Sequence, residues 1–105
     1  MTLIEFAAVL AGVGVPVHHN TAPELPGSRY IVWQEYGGRF SYGDNTPGEG
    51  VRRVQVDFYT KIELDPSLPA LLAALDGADI AHRYPETTFD EEQACDRHII
   101  ECEVM

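Results

Sequence analysis

The histidines and cysteines of this chain carry the side chains with the richest chemistry, and their spacing limits what they can do. His18 and His19 are adjacent, so on an extended strand they point to opposite faces and do not share one ion. His82 and His98 have neither a histidine partner four residues away on a helix nor a cysteine pair, which zinc sites ordinarily use. The spacing predicts ordinary surface or half-buried histidines and no metal site.

The cysteines Cys95 and Cys102 fall in a stretch that alternates like a strand. An extended chain would separate them by roughly 23 Å, far beyond the roughly 7 Å between Cα atoms that a disulfide spans. Their odd spacing also places them on opposite faces, so we predict two reduced thiols. Pairing Cys102 with His98 as nucleophile and base fails for a similar reason, because four strand residues span roughly 13 Å. We predict no catalytic residue and no cofactor.

Carboxylates outnumber bases: 17 acidic against 7 basic residues give a net charge of −10. Residues 61–105 hold 11 acids and 3 bases, a net charge of −8, whereas residues 1–60 hold 6 acids and 4 bases. Such a field repels phosphates, which disfavours tight binding to nucleic acid. No spacing selects a carboxylate pair for hydrolysis or for Mg²⁺ or Ca²⁺. The clustered acids predict a solvated surface or a channel lining made of Glu86, Asp90, Glu91, Glu92, Asp96, Glu101 and Glu103.

The length of 105 residues predicts a single domain spanning residues 1–105. No stretch approaches the roughly 20 apolar residues of a membrane helix, so we expect no membrane partner. No Lys or Arg precedes Arg29, and Glu5 interrupts the apolar N-terminus, a pattern unlike a signal peptide. We therefore expect an intracellular protein.

Two helices are predicted from capping residues and apolar spacing. Thr2 and Glu5 form a capping box for a first helix that Gly12 ends. Asp65 is the predicted N-cap of a second helix, with Pro66 at its first position and Gly77 at its end. Each helix has one apolar face, formed by Leu3, Phe6, Ala7 and Leu10 in the first and by Leu68, Leu71, Leu72 and Leu75 in the second.

Strands are predicted over Arg29–Tyr36, Val51–Lys61, Ile80–Tyr84 and His98–Val104, with a short extended piece at Pro16–Asn20. Residues 85–92 are acidic and contain a proline, which favours a loop. The order predicts an α+β fold: a mainly antiparallel sheet of about four strands with two helices packed on one face.

The glycine-rich segment between the two long strands predicts a long β-hairpin loop, and loops of this length in compact domains are often functional. Arg39, Phe40 and Tyr42 place a cation and two aromatic rings there, and Asp44 and Asn45 favour a turn. Arginine and aromatic residues are enriched at protein interfaces, so these five residues predict a contact with another subunit or protein. The alternative is a hairpin tip whose aromatic rings fold back on the sheet.

The chain resembles the tail-terminator, or tail-completion, proteins of long-tailed bacteriophages and prophages. The resemblance covers nearly the whole chain as a pattern of elements with short matching strings: Gly14-Val15-Pro16-Val17, Tyr30-Ile31-Val32-Trp33-Gln34, Gly43-Asp44-Asn45 and Val54-Gln55-Val56-Asp57-Phe58-Tyr59-Thr60-Lys61. The loop segment Arg39-Phe40-Ser41-Tyr42 matches no fixed motif of that family.

The resemblance implies a structural protein that forms a hexameric ring, caps the tail tube, stops its polymerisation and presents a surface to the head. It implies partners among copies of this chain, the tail tube protein and head–tail connector proteins, with no enzymatic activity and no cofactor. DNA would pass through the ring without tight binding. The implied location is the host cytoplasm during assembly and then the virion.

Three alternatives remain at this stage. Prophages encode other head–tail joining proteins of similar size and fold. An acidic DNA mimic that inhibits a nucleic-acid enzyme would also carry this charge. A small enzyme or metal protein would use His18, His82 or His98 with nearby carboxylates.

Overall fold

The structure, a computed structural model, describes residues 1–24, 26–36 and 51–105. It shows a small single α+β domain with a five-stranded mixed sheet and two helices. The elements in chain order are α1 (Leu3–Ala11), β1 (Val17–His19), β2 (Arg29–Glu35), β3 (Arg52–Thr60), α2 (Ser67–Gly77), β4 (Ala81–Asp90) and β5 (Cys95–Val104).

Helix α1 begins with the predicted capping box. The Thr2 hydroxyl accepts a hydrogen bond from the Glu5 amide at 3.1 Å, and the Glu5 carboxylate accepts one from the Thr2 amide at 2.7 Å. Gly12 is the C-cap, as predicted, and Phe6 and Leu10 are buried. The bond from the Thr2 amide lowers the pKa of Glu5, because it stabilises the charged carboxylate.

Helix α2 is also confirmed, with a shift at its start. Its first helical residue is Ser67 and its N-cap is Pro66, one residue later than predicted. Asp65 still performs the capping chemistry, because its carboxylate accepts a hydrogen bond from the Ser67 amide at 2.8 Å. Leu71 and Leu75 are its buried residues, and the helix ends at Gly77.

The strand order in the sheet is β1-β2-β3-β5-β4. The sheet has five strands where about four were predicted, because the extended piece at Pro16–Asn20 supplies β1. β1 runs parallel to β2, whereas the other three pairs are antiparallel, so the sheet is mixed. The predicted Gly-rich hairpin loop falls on residues 37–50, outside the described residues.

The sequence interpretation was wrong for β4. The predicted strand Ile80–Tyr84 and loop 85–92 are replaced by one strand, Ala81–Asp90. Polar residues and a proline are compatible with a strand here because β4 lies at the edge of the sheet and is exposed along nearly its whole length. Pro85 falls within a register irregularity between Arg83 and Glu86, where a ladder hydrogen bond is not required.

Strand alternation divides the sheet into two faces. Ile31, Val56, Phe58 and Ile100 project toward the helices into one hydrophobic core. The other residues of that core are Phe6, Leu10, Val15, Trp33, Val54, Leu71, Leu75, Ile80, Cys102 and Val104. We call the opposite side the outer face; in residues 1–24, 26–36 and 51–105 no helix packs against it.

Neither helix of the described chain is long and apolar enough to cross a membrane. Cys95 and Cys102 are both free, as predicted, and both are buried. Cys102 belongs to the core cluster. Cys95 stands opposite Asp90 and, by the alternation of β5, lies on the outer face.

Burial raises the pKa of the Cys102 thiol to about 12, so the nucleophilic thiolate is scarce near neutral pH. Burial likewise raises the pKa of Cys95. We expect both thiols of the folded protein to react with a disulfide reagent at least about 100-fold more slowly than in urea, because access requires opening of the structure. Rapid reaction of both thiols at pH 8 without denaturant would contradict their buried placement.

Candidate interaction surface

The five residues predicted for the hairpin contact, Arg39, Phe40, Tyr42, Asp44 and Asn45, lie outside the described residues. The strands on either side of them, β2 and β3, pair antiparallel from Arg29 opposite Thr60 to Glu35 opposite Val54. Segment 37–50 therefore connects two neighbouring strands of the sheet.

The seven acids predicted as one surface are distributed over three places. By strand alternation, four of them lie on the outer face: Glu86, Asp90, Glu101 and Glu103. Asp96 pairs with Thr60 and faces the helix side, and Glu91 and Glu92 lie in the turn between β4 and β5. The structure thus brings four of the seven together on one side of the sheet.

Arginines interrupt the acidic character of the outer face. Arg83 Nε lies 2.6 Å from Glu101 Oε1, and Arg97 Nη2 lies 2.8 Å from Asp57 Oδ2. Asp57 is buried and also accepts hydrogen bonds from Gln55 Nε2 at 3.0 and 3.2 Å. The outer face therefore carries charges of both signs, with ion pairs among its carboxylates.

A row of aromatic and cationic side chains crosses the outer face from β1 to β5. We call it the transverse row, formed by His18, Tyr30, Tyr59 and Arg97. The rings of Tyr30 and Tyr59 stack at 4.7 Å with an interplanar angle of 11°. His18 meets Tyr30 edge-on at 6.3 Å, and the Arg97 guanidinium carbon lies 5.9 Å from the centre of the Tyr59 ring. The row spans β1, β2, β3 and β5, so it follows from the register of three strand pairs.

The two tyrosines of the transverse row are uncharged near neutral pH, whereas Arg97 is charged. Burial raises the pKa of Tyr30 to about 12 and also raises the pKa of Tyr59, so both phenols stay protonated near neutral pH. The pKa of Arg97 would fall through burial, but the hydrogen bond and charge of Asp57 outweigh this and raise it. Arg97 Nε is buried with no hydrogen-bond partner in the described part of the chain. Aromatic and arginine side chains of this kind are the ones enriched at protein interfaces.

An open hollow of about 390 Å³ lies at one end of the sheet. Arg53, Arg83, Glu101 and Glu103 contribute charges of both signs to its lining, and Tyr36 lies beside Glu101. Burial and the neighbouring Glu101 raise the pKa of Tyr36. The hollow therefore carries balanced charges, and His82 and Cys102, which lie opposite each other on β4 and β5, also line it.

The four histidines occupy separate environments. His19 stacks on Trp33 at 4.1 Å, on the opposite side of β1 from His18, as the alternation predicted. His82 Nδ1 lies 2.9 Å from the Ile80 carbonyl oxygen. Among the described residues, no group of three or more His, Cys, Asp or Glu side chains is placed to hold a metal ion.

His98 lies on the helix side of β5 and contacts β4 and β3. Its Nδ1 lies 2.6 Å from the Tyr84 hydroxyl and 2.9 Å from the Thr87 hydroxyl, and its ring stacks on Phe58 at 5.9 Å. Desolvation lowers the pKa of His98, although the charges of Asp96 and Asp65 oppose this effect.

Because the pKa of His98 is lower in the folded state, the unfolded state binds more protons as the pH falls through about 6.5. The stability that neutral His98 contributes is present above that pH and is lost as the pH falls below it. We expect the Tm to decline between about pH 7 and pH 5, and to decline less in His98→Gln. Thermal melts at several pH values test this; parallel curves for the two proteins would contradict it.

Sequence reasoning did not select the transverse row. Its partial signal was the alternation in β3, which places Gln55, Asp57 and Tyr59 on the side opposite Val56 and Phe58. The missing information was the register that sets Tyr30 opposite Tyr59 and Tyr59 opposite Arg97.

Comparison of the chain with models of protein families, with curated proteins and with solved structures found no match.

Proposed function

We propose that this chain is a structural protein of a bacteriophage or prophage virion that forms a ring, caps the tail tube, stops its polymerisation and joins the tail to the head. The proposal is founded on the resemblance of its element order and short strings to tail-terminator proteins. The observation that supports it most is the outer face, which in the described residues has no helix over it and carries the transverse row. Tyr30 is buried and supports the ring of Tyr59, so the partly exposed Tyr59 and Arg97 are the members of the row suited to contact another protein.

A ring of identical subunits needs two different contact patches, because a head-to-tail interface joins unlike surfaces. We propose the hairpin residues Arg39, Phe40 and Tyr42, with Asp44 and Asn45 shaping the turn, as one patch. The outer face of the next copy is the other patch. Arg39 would complement its free carboxylates, and the two aromatic rings would complement Tyr59.

The acidic residues are proposed to limit adhesion of DNA as it passes the ring. Carboxylates repel phosphates, so Glu91 and Glu92 in the turn, with those outer-face carboxylates that the hairpin contact leaves uncovered, would keep the passage from binding DNA tightly. The same charge repels neighbouring copies, so ring formation is expected to strengthen with salt or Mg²⁺.

The double variant Arg39→Ala with Tyr42→Ala tests the hairpin patch. We expect it to lose ring formation and tail capping while its thermal melt stays unchanged, because it removes side chains proposed to act only between subunits. Lys61→Ala is the matched control, since it removes an exposed cation elsewhere. Normal assembly by the double variant would contradict the assignment of this loop.

Another head–tail connector is the closest alternative, since it would share the ring and differ in its neighbours. Binding to purified tail tube protein favours a terminator, whereas binding only to head connector proteins favours a joining protein. A DNA mimic is a weaker proposal, because Arg83 and Arg97 are paired with acids on the outer face and interrupt a phosphate-like array of charges.

A further inference from the structure

We infer that one end of the domain is a docking surface for a different protein, whose surface has an apolar socket with a basic rim. We call this surface the apolar end and define it by Ile62 and Leu64, between β3 and α2, and Phe89, near the end of β4. The inference deepens the proposed function, on which it rests for the partner's place in the virion, by naming the surface and the partner's chemistry.

The topology brings these three residues to the same end of the sheet. Thr60, Asp96 and Phe89 stand side by side on β3, β5 and β4. Strands lie about 4.8 Å apart, which puts Phe89 roughly 10 Å from Thr60. Leu64 stays close to Thr60, because the Thr60 hydroxyl donates a hydrogen bond to Asp65 Oδ2 at 2.6 Å.

The apolar end is unusually exposed for its residue types. Leu64 is 94% exposed, Phe89 is 61% exposed and Ile62 is 40% exposed. Single exposed apolar residues are ordinary, but several at one end, rimmed by charge, are typical of an interaction site.

The backbone holds Leu64 outward in a conformation that leucine rarely adopts. Its φ of 53° lies in the left-handed region. The loop is tied down on both sides, since the Ile62 amide donates to Thr60 Oγ1 at 3.0 Å and Asp65 caps α2. A backbone already fixed in this conformation loses little further conformational entropy on binding, which suits Leu64 as an anchor.

Charge decides which occupant fits. The acids at this end are Glu63, Asp90, Glu91, Glu92 and Asp96. Of the nearby bases, Arg29 is committed to Asp65 at 3.1 Å, and the exposed Lys61 offsets one of these five acids. The same end of a second copy would bring this cluster of acids against itself. A protein with Lys or Arg around an apolar socket would instead gain both electrostatic attraction and burial of Leu64 and Phe89.

The test uses a synthetic helical peptide with a leucine face flanked by lysines as the probe, measured by fluorescence anisotropy with the full chain. We expect Leu64→Ser with Phe89→Ser to weaken peptide binding about tenfold or more, because both anchors are lost. Ile4→Ser is the matched control, since Ile4 is 84% exposed on α1 and lies away from this end. A peptide whose leucines are replaced by serine should bind about as weakly to wild type as the leucine peptide binds to the double variant.

Equal binding of the leucine peptide to wild type and the double variant would overturn the inference, because attraction would then be charge alone. Light scattering of the same variants separates the other outcomes. If Leu64→Ser with Phe89→Ser loses ring formation while Ile4→Ser keeps it, the inference is also overturned, because a second copy would then occupy the surface. A wild-type chain that stays monomeric but binds the peptide through these two residues would contradict the proposed ring and support the docking surface.

Discussion

Asp65→Ala is expected to lower the free energy of unfolding by about 3 kcal/mol, since removing one partner of a buried ionic network costs this much. Asp65 is 5% exposed. Its carboxylate accepts hydrogen bonds from the Thr60 hydroxyl at 2.6 Å and the Ser67 amide at 2.8 Å, and it pairs with Arg29. The loss would leave the Thr60 hydroxyl and the Ser67 amide without this acceptor, and it would leave Arg29, which keeps a hydrogen bond to Ser67 Oγ, without its counter-charge.

The Tm of Asp65→Ala should fall by roughly 15 °C, as expected for a domain of this size. Glu63→Ala, an exposed acid in the same loop, is the control and should change stability by less than about 0.5 kcal/mol. Equal melting of wild type and Asp65→Ala would contradict the network.

The decline of the free energy of unfolding at acidic pH gives a second test of Asp65. Burial alone would raise its pKa, but hydrogen bonds from Thr60 and Ser67 and the charge of Arg29 outweigh burial and lower it below 3.8. Its contribution is therefore present above about pH 4 and is lost as the pH falls through the folded-state pKa. Asp65→Ala should lack this part of the acid transition.

Phe58→Ala is expected to cost about 4 kcal/mol, the largest effect of any single change proposed for this chain. Phe58 is fully buried in the central strand β3, within the core formed with both helices. Truncation removes a whole ring and leaves a cavity that a sheet packed under two helices fills poorly. A domain of this size has a total stability of about 5 to 15 kcal/mol, so the variant would lie near the limit of folding.

Tyr59→Ala is the matched control, because it truncates the next aromatic residue along the same strand but on the outer face. It should cost roughly 1 to 2 kcal/mol, since Tyr59 is only partly buried against Tyr30 and Arg97. Urea melts of the two variants measure the difference. Equal losses, or a larger loss for Tyr59→Ala, would contradict the division of the sheet into a core face and an outer face.

Local signals in the sequence predicted helices and strands well where a residue pattern has a single structural interpretation. The capping box of Thr2 and Glu5, the stop at Gly12 and the alternation in β3 all correspond to features of the structure. They succeed because each depends on contacts within a few residues.

The errors arose where tertiary position decides the outcome. Residues 85–90 look like a loop in isolation, yet they extend β4 because an edge strand tolerates proline, charge and exposure. The parallel pairing of β1 with β2 was not readable from three residues. The transverse row depends on the register of three strand pairs, which alternation within one strand does not specify.

The mass of the full chain in solution tests the proposed ring most directly. Multi-angle light scattering across a wide concentration range, with and without Mg²⁺ and high salt, and with added tail tube protein, is the measurement. We predict one discrete ring-sized species, a hexamer by the resemblance, that is favoured by salt or Mg²⁺ and lost in Arg39→Ala with Tyr42→Ala. A wild-type chain that remains an 11.6 kDa monomer under all these conditions, tube protein included, would contradict it.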